Sequence, residues 1–322
     1  MGTDPYNPWP HRLAVLTAGA TVLLIFVGGL VTNTGSALAV PDWPTTFGYN
    51  MFLYPWSRMV GGIFYEHSHR LIGSAVGVLT IACAACVWRF DGRTWVRRLA
   101  LGAVVAVVVQ GILGGLRVVL LEHGLAIVHG CFAQAFFALM MSIVVCTSAW
   151  WRTVPGAASL THGSALRQLA VTTALLVYLQ IVFGALLTHL GRLDTHLVGA
   201  GAVTIAIAWL SARVLIDTDA HAELRRPAAL LLALLGVQIS LGFGAYLWRF
   251  TQVSQAMSTA LGLSLQATHR ITGTGILGTA VVLALRVARM TRMGQTLAQP
   301  ARDAHDAVRD AVAAPAGRQV LA

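Results

Sequence analysis

Four histidines are the residues of this chain that point most directly to chemistry. Each stands at the beginning of an apolar stretch long enough to cross a bilayer: His69, His129, His196 and His269. An imidazole in hydrocarbon is costly unless it has a partner, and neutral imidazole is a good axial ligand for haem iron. The pattern therefore predicts two bis-histidine haem sites near the outer leaflet, one formed by His69 and His129 and the other by His196 and His269.

Two other interpretations of these histidines compete with haem binding. A single intramembrane histidine is usually a hydrogen-bonded core residue, but four in a repeated arrangement favour a shared role. Zinc is a weaker alternative than iron, because the sequence places no carboxylates or thiolates at suitable spacing from the four. Three nearby histidines are expected in or beside loops, in contact with water: His67, His123 and His189.

Glu66 is the acidic residue that stands out beside this set. It precedes His69 by three positions, so on a helix the two side chains share one face about a turn apart. Its carboxylate is either a helix N-terminal charge favoured by the macrodipole or a group that acts on whatever binds at the haem edge. Arg70 and Arg270 each follow a predicted ligand, where a guanidinium can pair with a haem propionate.

The composition places these residues in a membrane protein. With 57% hydrophobic residues, 11% charged residues and a mean hydropathy of +0.72, the chain is too apolar for an ordinary soluble domain. We predict an all-α polytopic membrane protein with eight transmembrane helices. The predicted spans are residues 11–32, 68–89, 98–119, 125–148, 167–188, 195–216, 227–248 and 265–288.

The net charge of +10 comes from arginine alone, because the chain has no lysine. The arginines cluster after the even-numbered predicted helices, and the opposite loops carry fewer of them. By the positive-inside rule the clustered side is the cytoplasm, so the protein is predicted to lie in the cell inner (plasma) membrane with both termini cytoplasmic. Because the bilayer accounts for this distribution, no nucleic-acid partner is expected.

An internal repeat predicts the domain organisation. The pattern Q-x-x-x-G recurs near the outer ends of the odd-numbered helices at 110–114, 180–184 and 238–242. In the first helix, Leu24 and Gly28 stand at the equivalent positions, and the sequence HRLIG at 69–73 resembles HRITG at 269–273. These repeats favour two four-helix bundles related by a pseudo-twofold axis along the membrane normal. The predicted units are a first bundle at 1–150, a cytoplasmic linker at 151–166, a second bundle at 167–290 and a flexible cytoplasmic tail at 291–322.

Several segments that contain these residues resemble the heme A synthase family. They are PDWP at 41–44, EHSHR at 66–70, AIVHG at 126–130, TH at 195–196 and ATHRITG at 267–273. The likeness extends over nearly all of the predicted helices and leaves out only the linker and the tail. The combination of E-x-x-H-R in the first half with T-H-R-x-T-G in the second is fairly specific.

The resemblance implies a function and a role for each residue. Members of the family oxidise a methyl group of heme O to a formyl group, which gives the heme A that cytochrome oxidases require. By this resemblance His69 and His129 hold the substrate haem, and Glu66 assists oxidation or proton transfer during two successive hydroxylations. His196 and His269 then hold haem b as a cofactor that passes electrons. The implied partners are heme O synthase (protohaem farnesyltransferase) and the assembly of cytochrome oxidase. Apart from the resemblance, the lipid bilayer and a second copy of the chain are expected partners.

The chain departs from the family in its cysteines. Many relatives have a cysteine pair in the outer loop after the first helix, whereas residues 33–65 contain no cysteine here. The four cysteines lie within predicted helices, at Cys83, Cys86, Cys131 and Cys146. A structural disulfide on the outer face is therefore not expected.

Two functions of other classes need the same histidines. A dihaem b-type electron-transfer protein would carry electrons between two haems, and a haem transport or delivery protein would bind haem reversibly. Neither needs a carboxylate that acts on a substrate. Glu66 is therefore the residue that discriminates these alternatives from an enzyme.

Overall fold

The protein is built from helices. The computed structural model describes the backbone of residues 6–153, 163–216 and 222–313, and the side chains of those residues other than His123 and 293–313. This described part contains no β-strand. Eight of its helices are long and apolar enough to span a membrane, which confirms the predicted class of all-α polytopic membrane protein.

Every predicted span corresponds to a helix, and one short helix lies between the fourth and fifth spans. The helices are α1 (Trp9–Asn33), α2 (Gly62–Phe90), α3 (Thr94–Leu120), α4 (His123–Thr147), α5 (Ala149–Thr153), α6 (Gly163–Leu190), α7 (Leu193–Ile216), α8 (Ala222–Phe250) and α9 (Thr259–Ala313).

Two helix boundaries differ from the prediction in ways that matter. Helix α2 begins at Gly62 rather than at residue 68, so Glu66 and His67 belong to the helix and not to the loop before it. Helix α9 continues to Ala313, so the backbone of 291–313 is helical where the sequence predicts a flexible tail. That segment is rich in alanine and arginine, which are good helix formers. Its flexibility and its cytoplasmic position stay predictions. Residues 154–162 of the predicted linker lie outside the described part of the chain.

The helices of each half pack mainly on one another. In the first half α1 contacts α2 and α4, and α3 contacts the same two helices. In the second half α6 and α8 each contact α7 and α9. The halves meet where α9 packs on α1 and α4, and where α4 packs on α6. This packing is compatible with two four-helix bundles, and their pseudo-twofold relation stays a prediction.

The surface of the spans is apolar and exposed. Between 17% and 44% of each span's most apolar window is buried inside the protein, so more than half of each window is partly or fully exposed. Val78, Val198 and Ile205 are each more than 60% exposed. A surface of this kind requires a lipid environment, because burying apolar area removes it from water.

Candidate functional site

The structure brings the four predicted ligands together as two facing pairs. His69 on α2 and His129 on α4 have ring centroids 6.4 Å apart, with an angle of 71° between the ring planes. His196 on α7 and His269 on α9 have centroids 6.3 Å apart, with an interplanar angle of 65°. Both pairings agree with the sequence-based assignment.

The separation within each pair suits two axial ligands of one metal. A bond between an imidazole nitrogen and a metal is about 2 Å long, and each ring adds roughly 1 Å from that nitrogen to its centre, so two axial imidazoles have centroids about 6 Å apart. The observed separations of 6.4 and 6.3 Å match this requirement. The residues therefore fit a haem group in each half.

A glycine of the preceding span faces each histidine ring. A β-carbon added to Gly28 on α1 would lie 2.8 Å from Cε1 of His69, and one added to Gly114 on α3 would lie 3.0 Å from Cε1 of His129. In the second half the corresponding distances are 3.6 Å from Gly184 to His196 and 3.0 Å from Gly242 to His269. These glycines leave space for the imidazoles, which is the reason for the repeated glycine in the sequence.

Three of the four histidines each contact a glutamine, which lies one turn before the glycine that faces the same histidine. Nε2 of Gln110 lies 3.3 Å from Nε2 of His129, and Nε2 of Gln238 lies 3.2 Å from Nε2 of His269. Nε2 of Gln180 lies 3.2 Å from Nδ1 of His196. Gln110 and Gln180 also donate hydrogen bonds to the backbone carbonyls of the same histidines.

Several ring nitrogens at these pairs are buried without a hydrogen-bond partner. Within the described part of the chain this holds for Nδ1 of His69, His129 and His269. An unsatisfied buried polar atom carries a free-energy cost, and such atoms in native structures call for an explanation. In His129 and His269 the glutamine amide nitrogen lies against Nε2, and Nδ1 has no hydrogen-bond partner within the described part of the chain.

Glu66 lies one turn before His69 on α2 and is almost fully buried. Its Oε1 accepts a hydrogen bond from Nη2 of Arg70 at 3.0 Å, and its Oε2 accepts one from the backbone N–H of Val40 at 3.0 Å. The carboxylate lies beyond the first turn of α2, so the interpretation as a helix N-terminal charge is not supported. Glu66 instead connects α2 to the outer loop between α1 and α2.

Arg70 is engaged by the same loop. Besides Glu66, its guanidinium donates to the backbone carbonyls of Val40, Asp42 and Thr45 at 3.0, 2.7 and 3.0 Å. Its two terminal nitrogens therefore have protein partners already. This geometry does not support the predicted contact with a haem propionate, which stays a prediction for Arg70.

The side chains of Asp42 and Trp43 also fix the outer loop. Burial raises the pKa of Asp42, but hydrogen bonds from Gly48, Thr45 and Phe47 outweigh it and hold the pKa below its usual value. The ring of Trp43 occupies the space where a side chain at Gly115 would stand. Since Gly115 follows Gly114, the loop covers the outer end of α3 beside the first histidine pair.

His67 corrects one expectation. The sequence suggested a solvated residue in or beside a loop, yet His67 is 1% exposed, and its Nδ1 lies 3.1 Å from the hydroxyl of Thr46. Its ring also lies against Tyr54, with centroids 5.2 Å apart. The prediction failed because the start of α2 was placed too late, so the helix turn that buries His67 against the loop was missing.

Two arginines stand close to the histidine pairs. Arg117, at the outer end of α3, lies within electrostatic range of Glu66, His69 and His129, and within the described part of the chain it makes no hydrogen bond. Sequence reasoning counted it only among the outer charges, although its position one turn after Gly114 could have indicated the site. Arg270, predicted as a propionate partner, lies against Gly29 of α1 and donates to Oδ1 of Asn33 at 3.4 Å.

Comparisons with known proteins identify the family of the chain. Residues 11–193, more than half of the chain, match the model of the COX15-CtaA family, described as cytochrome oxidase assembly proteins. The chain is 36% identical to the heme A synthase of Shouchella clausii over 139 residues, which are 42% of this chain and 44% of that relative. It is 28% identical to the heme A synthase of Alkalihalophilus pseudofirmus over 136 residues, 41% and 44% of the two chains. The heme A synthase of Listeria monocytogenes is 27% identical over 186 residues, 55% and 57% of the two chains.

The fold and the site together define a polytopic helical membrane protein with one facing histidine pair in each half of the chain. Among such proteins, the chain belongs to the COX15-CtaA family of cytochrome oxidase assembly proteins. The chain spans about half the length of the three heme A synthases to which it is similar.

Proposed function

We propose that this protein is a membrane heme A synthase, an oxidoreductase that converts a ring methyl of heme O into a formyl group by two successive hydroxylations. The observation that carries the proposal is the asymmetry between two similar histidine pairs. Among the residues that the structure describes, only the first pair has a buried carboxylate one helix turn away, that of Glu66. In the second half, Asp194 stands near His196 but is exposed and paired with Arg192.

In this proposal the first half holds the substrate and the second half holds the cofactor. His69 and His129 bind the iron of heme O, and His196 and His269 bind haem b. A bound haem supplies the iron-centred redox chemistry that a ring methyl, a poor acid and a poor hydride donor, requires. Arg117, which makes no hydrogen bond within the described part of the chain, is available for a haem carboxylate in the first half, and Arg270 is the candidate in the second.

The protein's own contribution to the oxidation is to position Glu66. Arg70 and the N–H of Val40 hold the two carboxylate oxygens between α2 and the outer loop. A carboxylate held in this way can orient water or accept a proton released at the substrate methyl. Glu66 is buried beside the guanidinium of Arg70, so its negative charge has a partner.

The same ion pair is also what a purely structural anchor would need. Glu66 and Arg70 fix the outer loop whether or not a substrate is changed, so a dihaem electron-transfer protein is the second candidate. The proposed surroundings are the inner membrane with both termini cytoplasmic. The proposed partners are heme O synthase, cytochrome oxidase in assembly and a second copy of the chain.

The test is to identify the haems that the purified protein retains after co-expression with a source of heme O. Chromatography and mass spectrometry of wild type should find heme A. The Glu66→Gln variant keeps an oxygen that can accept from Val40 but loses the charge, and it should contain heme O or a hydroxylated intermediate. Glu122→Gln, at an exposed glutamate on the same side, is the control and should still form heme A. Unmodified haem in wild type would contradict the proposal and favour electron transfer.

A further inference from the structure

We propose that the protein binds the phosphate of an anionic phospholipid at the end of the spans opposite to the histidine pairs. The site is a set of side chains from the start of α3, from α5 and from α9, which we call the arginine–tryptophan cluster. Its members are Arg93, Trp95, Trp150, Trp151, Arg152, Arg286 and Arg289. This inference does not rest on the proposed function, because it involves neither the histidine pairs nor Glu66.

Two arginines of the cluster share one buried carboxylate. Nη2 of Arg93 lies 2.6 Å from Oδ2 of Asp91, and Nη2 of Arg152 lies 3.1 Å from the same oxygen. Asp91 is 1% exposed. A single carboxylate balances only one of the two guanidinium charges, so this part of the cluster keeps an excess positive charge.

Arg289 on α9 adds a charge that no carboxylate balances within the part of the chain that the structure describes. Its guanidinium lies over the ring of Trp151, 5.4 Å from the centroid, and makes no hydrogen bond with a described residue. Its Nε is buried, but its two terminal nitrogens are not. Arg289 also lies within electrostatic range of Arg93 and Arg292, which carry the same sign of charge. Like charges gathered in this way favour the binding of an anion.

Arg286 extends the cluster along α9. Its Nη1 donates to the backbone carbonyl of Glu223 at 2.6 Å, and its guanidinium lies over the ring of Trp150, 5.1 Å from the centroid. The carboxylate of Glu223 is within electrostatic range and offsets part of its charge. A planar guanidinium held by a ring and a carbonyl is already oriented, which favours arginine over lysine for contacts with phosphate.

The surroundings favour a phospholipid over a soluble anion. Tryptophans are enriched where a protein crosses the membrane interface, and basic pockets between transmembrane helices bind anionic head groups. An apolar groove on α3 and α4 borders the cluster at Trp95, whose ring centroid lies 6.1 Å from that of Trp151. The groove is lined by Trp95, Arg98, Leu99, Gly102 and Leu139. A phospholipid can place an acyl chain in this groove and its phosphate at the arginines, whereas a free anion uses only the second feature.

Native mass spectrometry of the full chain in a nonionic detergent, titrated with phosphatidylglycerol, tests the proposal. Arg289→Gln removes a charge that has no carboxylate partner among the described residues, so it leaves no acidic group uncompensated. It should weaken phosphatidylglycerol binding about fivefold, the effect of one arginine near an anionic lipid. Arg213→Gln, at an exposed arginine near the same end of α7, is the matched control and should bind as wild type does. Equal affinity of wild type and Arg289→Gln would overturn the proposal.

A second variant tests the groove without changing a charge. A β-carbon added to Gly102 meets no atom within 4 Å, so Gly102→Leu fills part of the groove without displacing a neighbour at that carbon. It should also weaken phosphatidylglycerol binding, and inorganic phosphate, which has no acyl chain, should not displace the lipid at equal concentration. Unchanged lipid affinity in Gly102→Leu, or displacement by phosphate, would contradict the assignment to a phospholipid.

Discussion

At the scale of single residues, glycines determine how closely each histidine approaches the neighbouring helix. The space they leave is unequal: an added β-carbon would be 3.0 Å from His269 at Gly242 but 3.6 Å from His196 at Gly184. The shorter distance is tighter than ordinary van der Waals contact, and the longer one is ordinary. The same substitution at the two glycines should therefore have different effects on one haem site.

We expect Gly242→Ala to displace His269 and reduce haem retention in the second half. Overpacking of this kind costs about 1–3 kcal/mol. Gly184→Ala is the matched control within the same pair and should leave haem content unchanged. Absorbance of the purified variants per mole of protein makes the comparison, and equal haem content in the two variants would show that glycine spacing does not govern the site.

The residue scale is also where the sequence was most informative. The positions and pairing of His69, His129, His196 and His269 followed from residue type and repetition, because an intramembrane histidine is costly without a partner. The contacts of Glu66 with Val40 and Arg70 could not be predicted, because they depend on how the outer loop folds back over α2.

At the scale of elements, the outer loop between α1 and α2 is held to the first site by Arg70. This guanidinium satisfies three backbone carbonyls and the buried carboxylate of Glu66. The side chains of Arg70 and Glu66 are 9% and 8% exposed. Removing one partner of such a pair leaves the other charge buried and uncompensated.

We expect Arg70→Ala to destabilise the loop by about 3–5 kcal/mol, the usual cost of breaking a buried ion pair. Limited proteolysis of the detergent-solubilised protein should then cut between residues 34 and 61. The control is Arg58→Ala in the same loop, because Arg58 contacts only the exposed Tyr49 within the described part of the chain. If both variants resist proteolysis as wild type does, Arg70 does not anchor the loop.

At the scale of elements, the sequence-based prediction placed the start of α2 too late, so it missed the contacts of this helix with the outer loop. Residues 66–70 form a polar run, EHSHR, so the apolar pattern alone gives no reason to extend the helix beyond its N-terminal side. Tertiary contacts extend the helix, since His67 and Glu66 find their partners in Thr46 and Val40 of the loop. Hydropathy along the sequence does not show that a polar residue is buried and hydrogen-bonded in this way.

At the scale of the whole molecule, the arginine distribution predicts that the histidine pairs lie towards the outer face. Leu53 lies in the outer loop, and Ile216 lies at the end of α7 opposite to His196. Their exposed fractions are similar, at 75% and 79%. By the positive-inside rule they lie on opposite sides of the membrane.

We therefore expect a membrane-impermeant maleimide to label Leu53→Cys in intact cells and Ile216→Cys only after lysis. Wild type, whose four cysteines lie within α2 and α4, serves as the background control. Labelling of Ile216→Cys in intact cells, with Leu53→Cys protected, would reverse the predicted orientation.

Haem stoichiometry is the measurement that we would make to test whether each half holds one haem between two histidines. The number of haems per chain should be about two in wild type and about one in each double variant, His69→Ala with His129→Ala or His196→Ala with His269→Ala. His11→Ala, at a histidine that contacts the carbonyl of Val144 instead, should retain the full content. A double variant that keeps the wild-type haem content would show that the substituted pair does not hold a haem.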